Sequence, residues 1–474
     1  MKQVQKMDLN ILLALAIVVV VLGIGLLANT VPEGFEFSGY SSNNLITGAA
    51  VGVEDYVPPE VVEEEIEEET EEHVHEPFDF IMPSQEGNAT SCGNVSSSIT
   101  LTANVSAEGT CFIFNASNVV LDCDGYSINY SNSSGGYGVY ATWVDNVTTK
   151  HCNIFETTTT GSQGIYFSTS TNLTIYNNTI KTTGNADDAI VLYGNINTNI
   201  SYNTLNTSGS SAYAIDQSSS DSVLNSTIEY NSISTTGSGG GIYVGGYGSL
   251  VYMNSLVTGG DAIIVGDPQN NVSTNSINTT GSSDEGIVVS DTDNVIEYNI
   301  INVSGSGAEG IAIASDYNNI TNNVVYAEGS GDAIAITSSD DNNRIIGNTI
   351  TTTASSSDGI YLTNTDNNTI QNNTIITHGS GYGLRVDDVL GANITGNNIN
   401  TTASSAYGIY FDDTSSSSYI TNNNVTTVGT SAYAIYLFDN NDNNQIVGNN
   451  ISTEGSIGYA IFVNTATGNN LISN

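Results

Sequence analysis

The feature that most constrains this chain is a tetrapeptide that returns at an almost constant interval. GIYF at 164, GIYV at 241, GIVV at 286, GIAI at 310, GIYL at 359 and GIYF at 408, together with Ala-first variants, mark starts at 138, 164, 189, 214, 241, 262, 286, 310, 333, 359, 383, 408, 434 and 460. The thirteen intervals average about 25 residues, and self-similarity at a fixed period of this length belongs to solenoids. The second position is Ile throughout, apart from Val139 and Leu384. It is therefore expected to face the core of every turn.

Each repeat carries a second apolar site, followed three residues later by an Asn. The series runs Asn178, Asn203, Asn231, Asn254, Asn275, Asn299, Asn323, Asn348, Asn373, Asn397, Asn423, Asn449 and Asn474. Runs of three to five β-branched residues between Asn, Gly, Ser and Thr are too short for helices and suit strands joined by turns. Three strands per repeat make a coil of parallel sheet, with successive coils about 4.8 Å apart. The Asn series then has an architectural reading: a side chain at a bend that tolerates left-handed backbone angles and bonds to its own copies above and below. Cys152 occupies this place in the first counted repeat and Cys123 one coil earlier, so stacking brings the two within disulfide range.

Composition agrees. Charged residues make up only 12% of the chain, and 6 Lys+Arg against 49 Asp+Glu leave a formal charge of -43. Nucleic-acid binding is excluded as a function class, because phosphate recognition needs clustered cations. Leu9 to Ala28 is an uncharged apolar run preceded by Lys2 and Lys6, long enough to cross a bilayer and oriented with residues 1–8 in the cytoplasm. A cleaved signal peptide is the competing reading. Residues 29–90 form an acidic tether rich in Pro and Glu that self-repels, with His73 and His75 as solvated side chains. The four cysteines, Cys92, Cys111, Cys123 and Cys152, lie close together and indicate disulfides in an exported protein. Cys92–Cys111 with Cys123–Cys152 is the favoured of three arrangements. Residues 91–137 are thus a disulfide-stapled cap and first coil, and 138–474 the repeat domain.

With its repeat and Asn series, the chain resembles the right-handed parallel β-helix proteins with pectate-lyase-like coils, over roughly residues 95 to 474. This group includes polysaccharide lyases, polygalacturonases, alginate epimerases and surface proteins. The resemblance implies an all-β solenoid of about 14 to 15 coils and leaves activity open, since one coil serves enzymes, adhesins and stalks.

A groove on such a coil is built from one repeat position on successive turns. The residue before each tetrapeptide reads Asp261, Glu285, Glu309, Asp332 and Asp358, then Tyr382, Tyr407, Tyr433 and Tyr459. Stacked carboxylates repel unless solvated or bridged, and all-oxygen ligands suit Ca²⁺. The third tetrapeptide position reads Tyr361, Arg385, Tyr410, Tyr436 and Phe462, which alternation turns outward. The two rows form an aromatic stripe, read either as cross-strand packing or as a sugar platform.

For an enzyme, Asn364, Thr365 and Asp366 match the Asn-Thr-Asp of polygalacturonases, with Asp387 and Asp388 in the place of that family's paired aspartates. A lyase would need Ca²⁺ carboxylates beside a cationic base, for which Arg385 next to Asp387 and Asp388 is the plausible cluster. The family's Gly-His-Gly and Arg-Ile-Lys elements are missing, and Asp412 and Asp413 repeat the pair one coil on. Asp267 and Pro268 open an epimerase-like motif that Gln269 breaks, and no His or Met cluster suits soft copper.

The expectation is a membrane-anchored extracellular β-helix that binds carbohydrate or other surface proteins, with a polysaccharide-active enzyme as the alternative. Sequons such as Asn88, Asn146, Asn172, Asn199, Asn271, Asn302, Asn367 and Asn450 predict glycosylation of the exported part. The chain stops partway through a repeat, which suggests a fragment or an end covered by another chain.

Overall fold

The computed structural model describes residues 84–473 except 158–160, 218–222, 338 and 465–470. The expected membrane span 9–28, most of the tether and Asn474 lie outside the described residues. Among those described, no helix is long and apolar enough to cross a membrane. Among the described residues every regular element is a β-strand, and every pairing is parallel.

Each turn contributes three strands, which define three faces. Face 1 carries the tetrapeptides, as in Ile311–Ile313; face 2 follows it, as in Asn319–Thr321; face 3 follows the Asn, as in Val324–Ala327. Face 3 is a 15-stranded sheet. Faces 1 and 2 join into one 32-stranded sheet because Gly93–Leu101 pairs with both Phe112–Phe114 and Val120–Asp122. The stack begins before the expected cap: Ser84–Ala89 pairs with Gly93–Leu101, inside the stretch assigned to the tether.

The tetrapeptide aliphatics stack one on another without slippage, Ile263 to Ile287, Ile311, Ile334, Ile360 and Leu384. All six are fully buried. Alternation sends neighbouring side chains out, so a strand such as Ile300–Val303 buries Ile301 and Val303 and exposes Ile300. One-residue slips would turn the whole aliphatic column to solvent. Ile215, Ile242 and Ile263 nevertheless stay paired across repeats of 27 and 21 residues, because the connections between strands absorb the difference. Loops between faces 3 and 1 pack tightly: a Cβ on Gly305 would meet the Gly281 carbonyl oxygen at 1.6 Å, and one on Gly329 the Gly305 oxygen at 1.7 Å.

The Asn series is a buried ladder. Asn299 Oδ1 accepts the Asn275 N–H at 2.9 Å and an Asn275 Nδ2 hydrogen at 3.0 Å, while Asn299 Nδ2 donates to the Val272 carbonyl at 2.8 Å and to Asn323 Oδ1 at 3.0 Å. The same pattern repeats through Asn423 and Asn449. The left-handed residue is not the ladder Asn itself but the one before it, such as Asn177 (φ 50°) or Asn322 (φ 55°). A second ladder occupies the corner between faces 1 and 2: Asn270, Asn294, Asn318, Asn343 and Asn368, each accepting the main-chain N–H of the previous member. At the N-terminal end Cys152 takes a ladder place, with its N–H bonded to Asn178 Oδ1. The disulfides are Cys92–Cys111 and Cys123–Cys152, with Cα separations of 4.8 and 4.7 Å, one coil spacing each.

Candidate functional site

The in-register stacking of face 1 converts the two sequence columns into two parallel rows. The outer row is Tyr361, Arg385, Tyr410, Tyr436 and Phe462, each paired with the next. The row beside it runs from Asp261 to Tyr459 at the entry of the same strands.

The acidic half of this second row is tied to the backbone. Asp261 Oδ1 accepts the Glu285 N–H at 2.7 Å, Asp332 Oδ1 that of Asp358 at 2.6 Å, and Asp358 Oδ1 that of Tyr382 at 2.6 Å. Burial, with the neighbouring carboxylate second, pushes Glu285 up to about 8 and Glu309 to about 7. Burial likewise holds Asp358 at about 7, and Asp332 at about 6 with the Asp358 N–H and Arg385 opposing. The column therefore contains carboxyls that keep protons near neutrality. Asp188 holds the same repeat position, separated from Asp261 by Tyr213 and Gly240; it caps the Tyr213 N–H at 2.6 Å and is raised by burial to about 7. Nearby Glu156 is raised to about 7 by burial and then by Asp187, while it accepts the N–H groups of Thr183 and Gly184.

At the junction of acidic and aromatic halves lies Arg385. Its Nη2 bridges Asp387 at 3.2 Å and Asp412 at 3.3 Å, and the guanidinium sits 4.8 Å from the Tyr361 ring centre. The Tyr361 hydroxyl donates to Asp387 at 3.2 Å. Nε of Arg385 is buried without a hydrogen-bond partner. With Nε shut away from solvent, a ligand would meet only the remainder of the side chain, which is 31% exposed.

Beyond Arg385 the rings pack on one another. Tyr407 lies between Tyr382 and Tyr433, with centroids 5.1 Å apart and planes within 3° on both sides. Tyr410 and Tyr436 follow at 5.3 Å, and Phe462 closes on Tyr433 at 5.1 Å and on Tyr459 at 5.5 Å. Both faces of Tyr407 are covered by its neighbours. A ligand along this row meets ring edges and phenol oxygens, and the flat platform envisaged from the sequence is absent at that ring.

The residues of the alternative, enzymatic reading, Asp366, Asp387, Asp388 and Arg385, have separate partners. Asp366 holds the corner instead, its N–H bonded to Asp341 and its Oδ1 accepting the Leu390 N–H at 2.9 Å. Asp387 and Asp388 do meet Asp413 of the next turn, and this trio is the group of three carboxylates, among the described residues, whose oxygens fall within 4.8 Å of one another. The repetition of the Asp pair at Asp412 and Asp413, which spoke against a polygalacturonase site, is what supplies both the second partner of Arg385 and the third carboxylate.

The right handed beta helix region model matches residues 188–350 and 286–451, together more than half of the chain. The chain belongs to the right-handed β-helix family. Among solved structures, the β-helix is similar to the A-module of a mannuronan C-5 epimerase from Azotobacter vinelandii, at 14% identity and TM-score 0.40, over 80% of this chain and 91% of that one. It is also similar to the tailspike protein of E. coli bacteriophage HK620 in complex with a pentasaccharide, at 13% identity and TM-score 0.41, over 79% of this chain and 69% of that one. No curated protein sequence matches it significantly.

Proposed function

We propose that this β-helix is a carbohydrate-binding module in which a glycan strand lies along face 1, parallel to the coil axis, from Tyr361 to Phe462. The observation that carries this reading is Arg385: a guanidinium clamped by Asp387 and Asp412, backed by Tyr361, and 31% exposed beside a row of tyrosines. Hydroxyls and a fixed guanidinium fork recognise sugar hydroxyls by hydrogen bonds, and the ring edges add apolar contact. The acidic surroundings favour a neutral glycan, or an acidic one bridged by Ca²⁺. In this reading residues 9–28 anchor the module in the cell membrane and 29–83 hold it outside.

The full chain is to be incubated with neutral and acidic polysaccharides, scoring both retention and new reducing or unsaturated ends. Retention without new ends, lost in Arg385→Gln, is the expected result. New chain ends would replace the binding reading with the enzymatic one, and the trio Asp387, Asp388 and Asp413 would be where to look for its chemistry. No retention on any polysaccharide refutes both.

A further inference from the structure

The corner between faces 2 and 3 needs a left-handed residue in each turn, just before the ladder Asn. In the C-terminal turns this place is filled by Asn322, Gly347, Asn372, Gly396, Asn422 and Gly448, with φ from 54° to 69°. These are the residues that adopt such angles at least cost. In the N-terminal turns it holds His151 (φ 54°), Asn177 (50°), Tyr202 (59°), Tyr230 (54°), Met253 (52°), Thr274 (58°) and Tyr298 (55°). Bulky side chains pay a steric penalty there that Asn or Gly avoids. The corner between faces 1 and 2 holds Asn146, Asn172, Asn197, Asn225 and Gly248 in the turns of His151 to Met253, and only later admits Gln269 (φ 62°), Asp293 (58°) and Tyr317 (59°).

The strained residues do not repay the penalty by filling the core. Tyr202 is 50% exposed and Tyr230 40%. Together with Tyr176 and Tyr252, at the ends of their face 2 strands, they form an outward line of rings: His151 to Tyr176 at 5.9 Å, Tyr176 to Tyr202 at 5.7 Å, Tyr202 to Tyr230 at 4.9 Å and Tyr230 to Tyr252 at 6.0 Å. The line runs along the coil axis with one ring per turn.

We propose that this corner, Tyr176, Tyr202, Tyr230 and Tyr252, is a binding strip for a neutral polysaccharide chain, separate from the face 1 site and carried by a different observation. The ring interval is set by the coil spacing of about 4.8 Å, close to the length of one pyranose unit, so successive sugars meet successive rings. Tyr202 and Tyr230 stack within 6° of each other while Tyr176 and Tyr252 meet them at 68° and 86°, and Tyr176, Tyr202 and Tyr230 are 38%, 50% and 40% exposed, so a chain along the corner meets ring surface in successive turns. Charge selects the occupant. At the N-terminal end of the strip, the Lys150 charge is offset by Asp122 at 3.1 Å. The formal charge of -43 repels polyanions and a second copy of this chain alike.

The test replaces Tyr202 and Tyr230 by Asn, the residue that the later turns use. Full-length chain, Tyr202→Asn/Tyr230→Asn and Arg385→Gln are compared for retention on insoluble cellulose, chitin and mannan, with melting temperature and light scattering measured on each. The expected result is about tenfold weaker retention of the corner variant, with a melting temperature unchanged or about 2 °C higher because strain is relieved. Retention of the corner variant equal to the parent on every probe overturns the proposal, as does absence of parent retention on all three. A lower melting temperature with weaker retention assigns the tyrosines to packing and overturns it too. Self-association of the parent that the variant abolishes makes a second copy the occupant, which equally refutes the sugar strip. Loss confined to Arg385→Gln leaves face 1 as the binding site and refutes the corner alone.

Discussion

Removing one rung of the Asn ladder should cost far more than its small side chain suggests. Asn323 is fully buried, and its Oδ1 accepts the Asn299 N–H and an Asn299 Nδ2 hydrogen, both at 3.0 Å. Its own Nδ2 donates to the Ile296 carbonyl at 2.8 Å and to Asn348 Oδ1 at 3.1 Å. Asn323→Ala deletes these four bonds, but the losses are unequal. Asn299 Nδ2 retains the Val272 carbonyl, and Asn348 Oδ1 retains the Asn323 N–H at 2.9 Å. The main-chain N–H of Asn299 loses its acceptor, and an orphaned buried donor costs about 1–3 kcal/mol. The other lost bonds add about 0.5–1.5 kcal/mol each at full value, less where a second partner remains. The expected loss is therefore about 4 kcal/mol, roughly a thousandfold in the folding equilibrium. Because a solenoid turn contacts only its neighbours, the loss should appear first as local opening of the turns around 296–348. Hydrogen exchange on Asn299 and adjacent amides, with urea unfolding of the whole, reads it out. Asn322→Gly, one residue away and equivalent to Gly347 and Gly396 in backbone angle, should change stability by less than about 1 kcal/mol. Equal effects of the two substitutions, or a loss at Asn323 below about 1 kcal/mol, would refute the claim that the ladder amide carries the corner.

The acidic column makes stability depend on pH with a definite sign. Glu285, Glu309, Asp332 and Asp358 have folded values of about 8, 7, 6 and 7, above the unfolded range near 4, so the folded chain binds more protons and the contribution present in acid is lost as pH rises through 6 to 8. The melting temperature should be higher at pH 5 than at pH 8.5, with a flatter profile in Glu285→Gln/Glu309→Gln/Asp332→Asn; a fall on acidification would sink the assignment. At pH 8.5, where these carboxyls ionise, millimolar Ca²⁺ should raise the melting temperature of the parent and leave the triple variant unmoved, and identical curves in Ca²⁺ and chelator would remove the cation from the column. Cys123→Ser/Cys152→Ser should cost about 3 kcal/mol by freeing a long loop in the unfolded chain. Urea unfolding measures that loss, and non-reducing peptide mapping of the parent should find Cys92 linked to Cys111 and no free thiol.

Much of this molecule was legible in the sequence because parallel, in-register stacking turns a sequence column into a row in space. The buried aliphatics, the ladder from Asn178 to Asn449, the junction of carboxylates with tyrosines and the Cys123–Cys152 link all follow from repeat arithmetic, since each position contacts only its own copy above and below. The ladder at Asn270 to Asn368 lies five residues before each main ladder Asn, but it was not legible as a series because the same column holds Leu173, Thr198, Ser226, Ser249, Ala392 and Ser418 in other repeats. What only the tertiary structure decided is how side chains orient within a row and which rows meet. The sequence could place Tyr407 between two tyrosines but not lay its faces against them. It could repeat an Asp pair but not show Asp412 crossing to Arg385, nor Asp358 spending its oxygen on a main-chain N–H. It also could not reveal that Tyr202 and Tyr230 sit at left-handed angles, because that strain belongs to the backbone path of the corner, and the same path accepts Gly or Asn a few turns later.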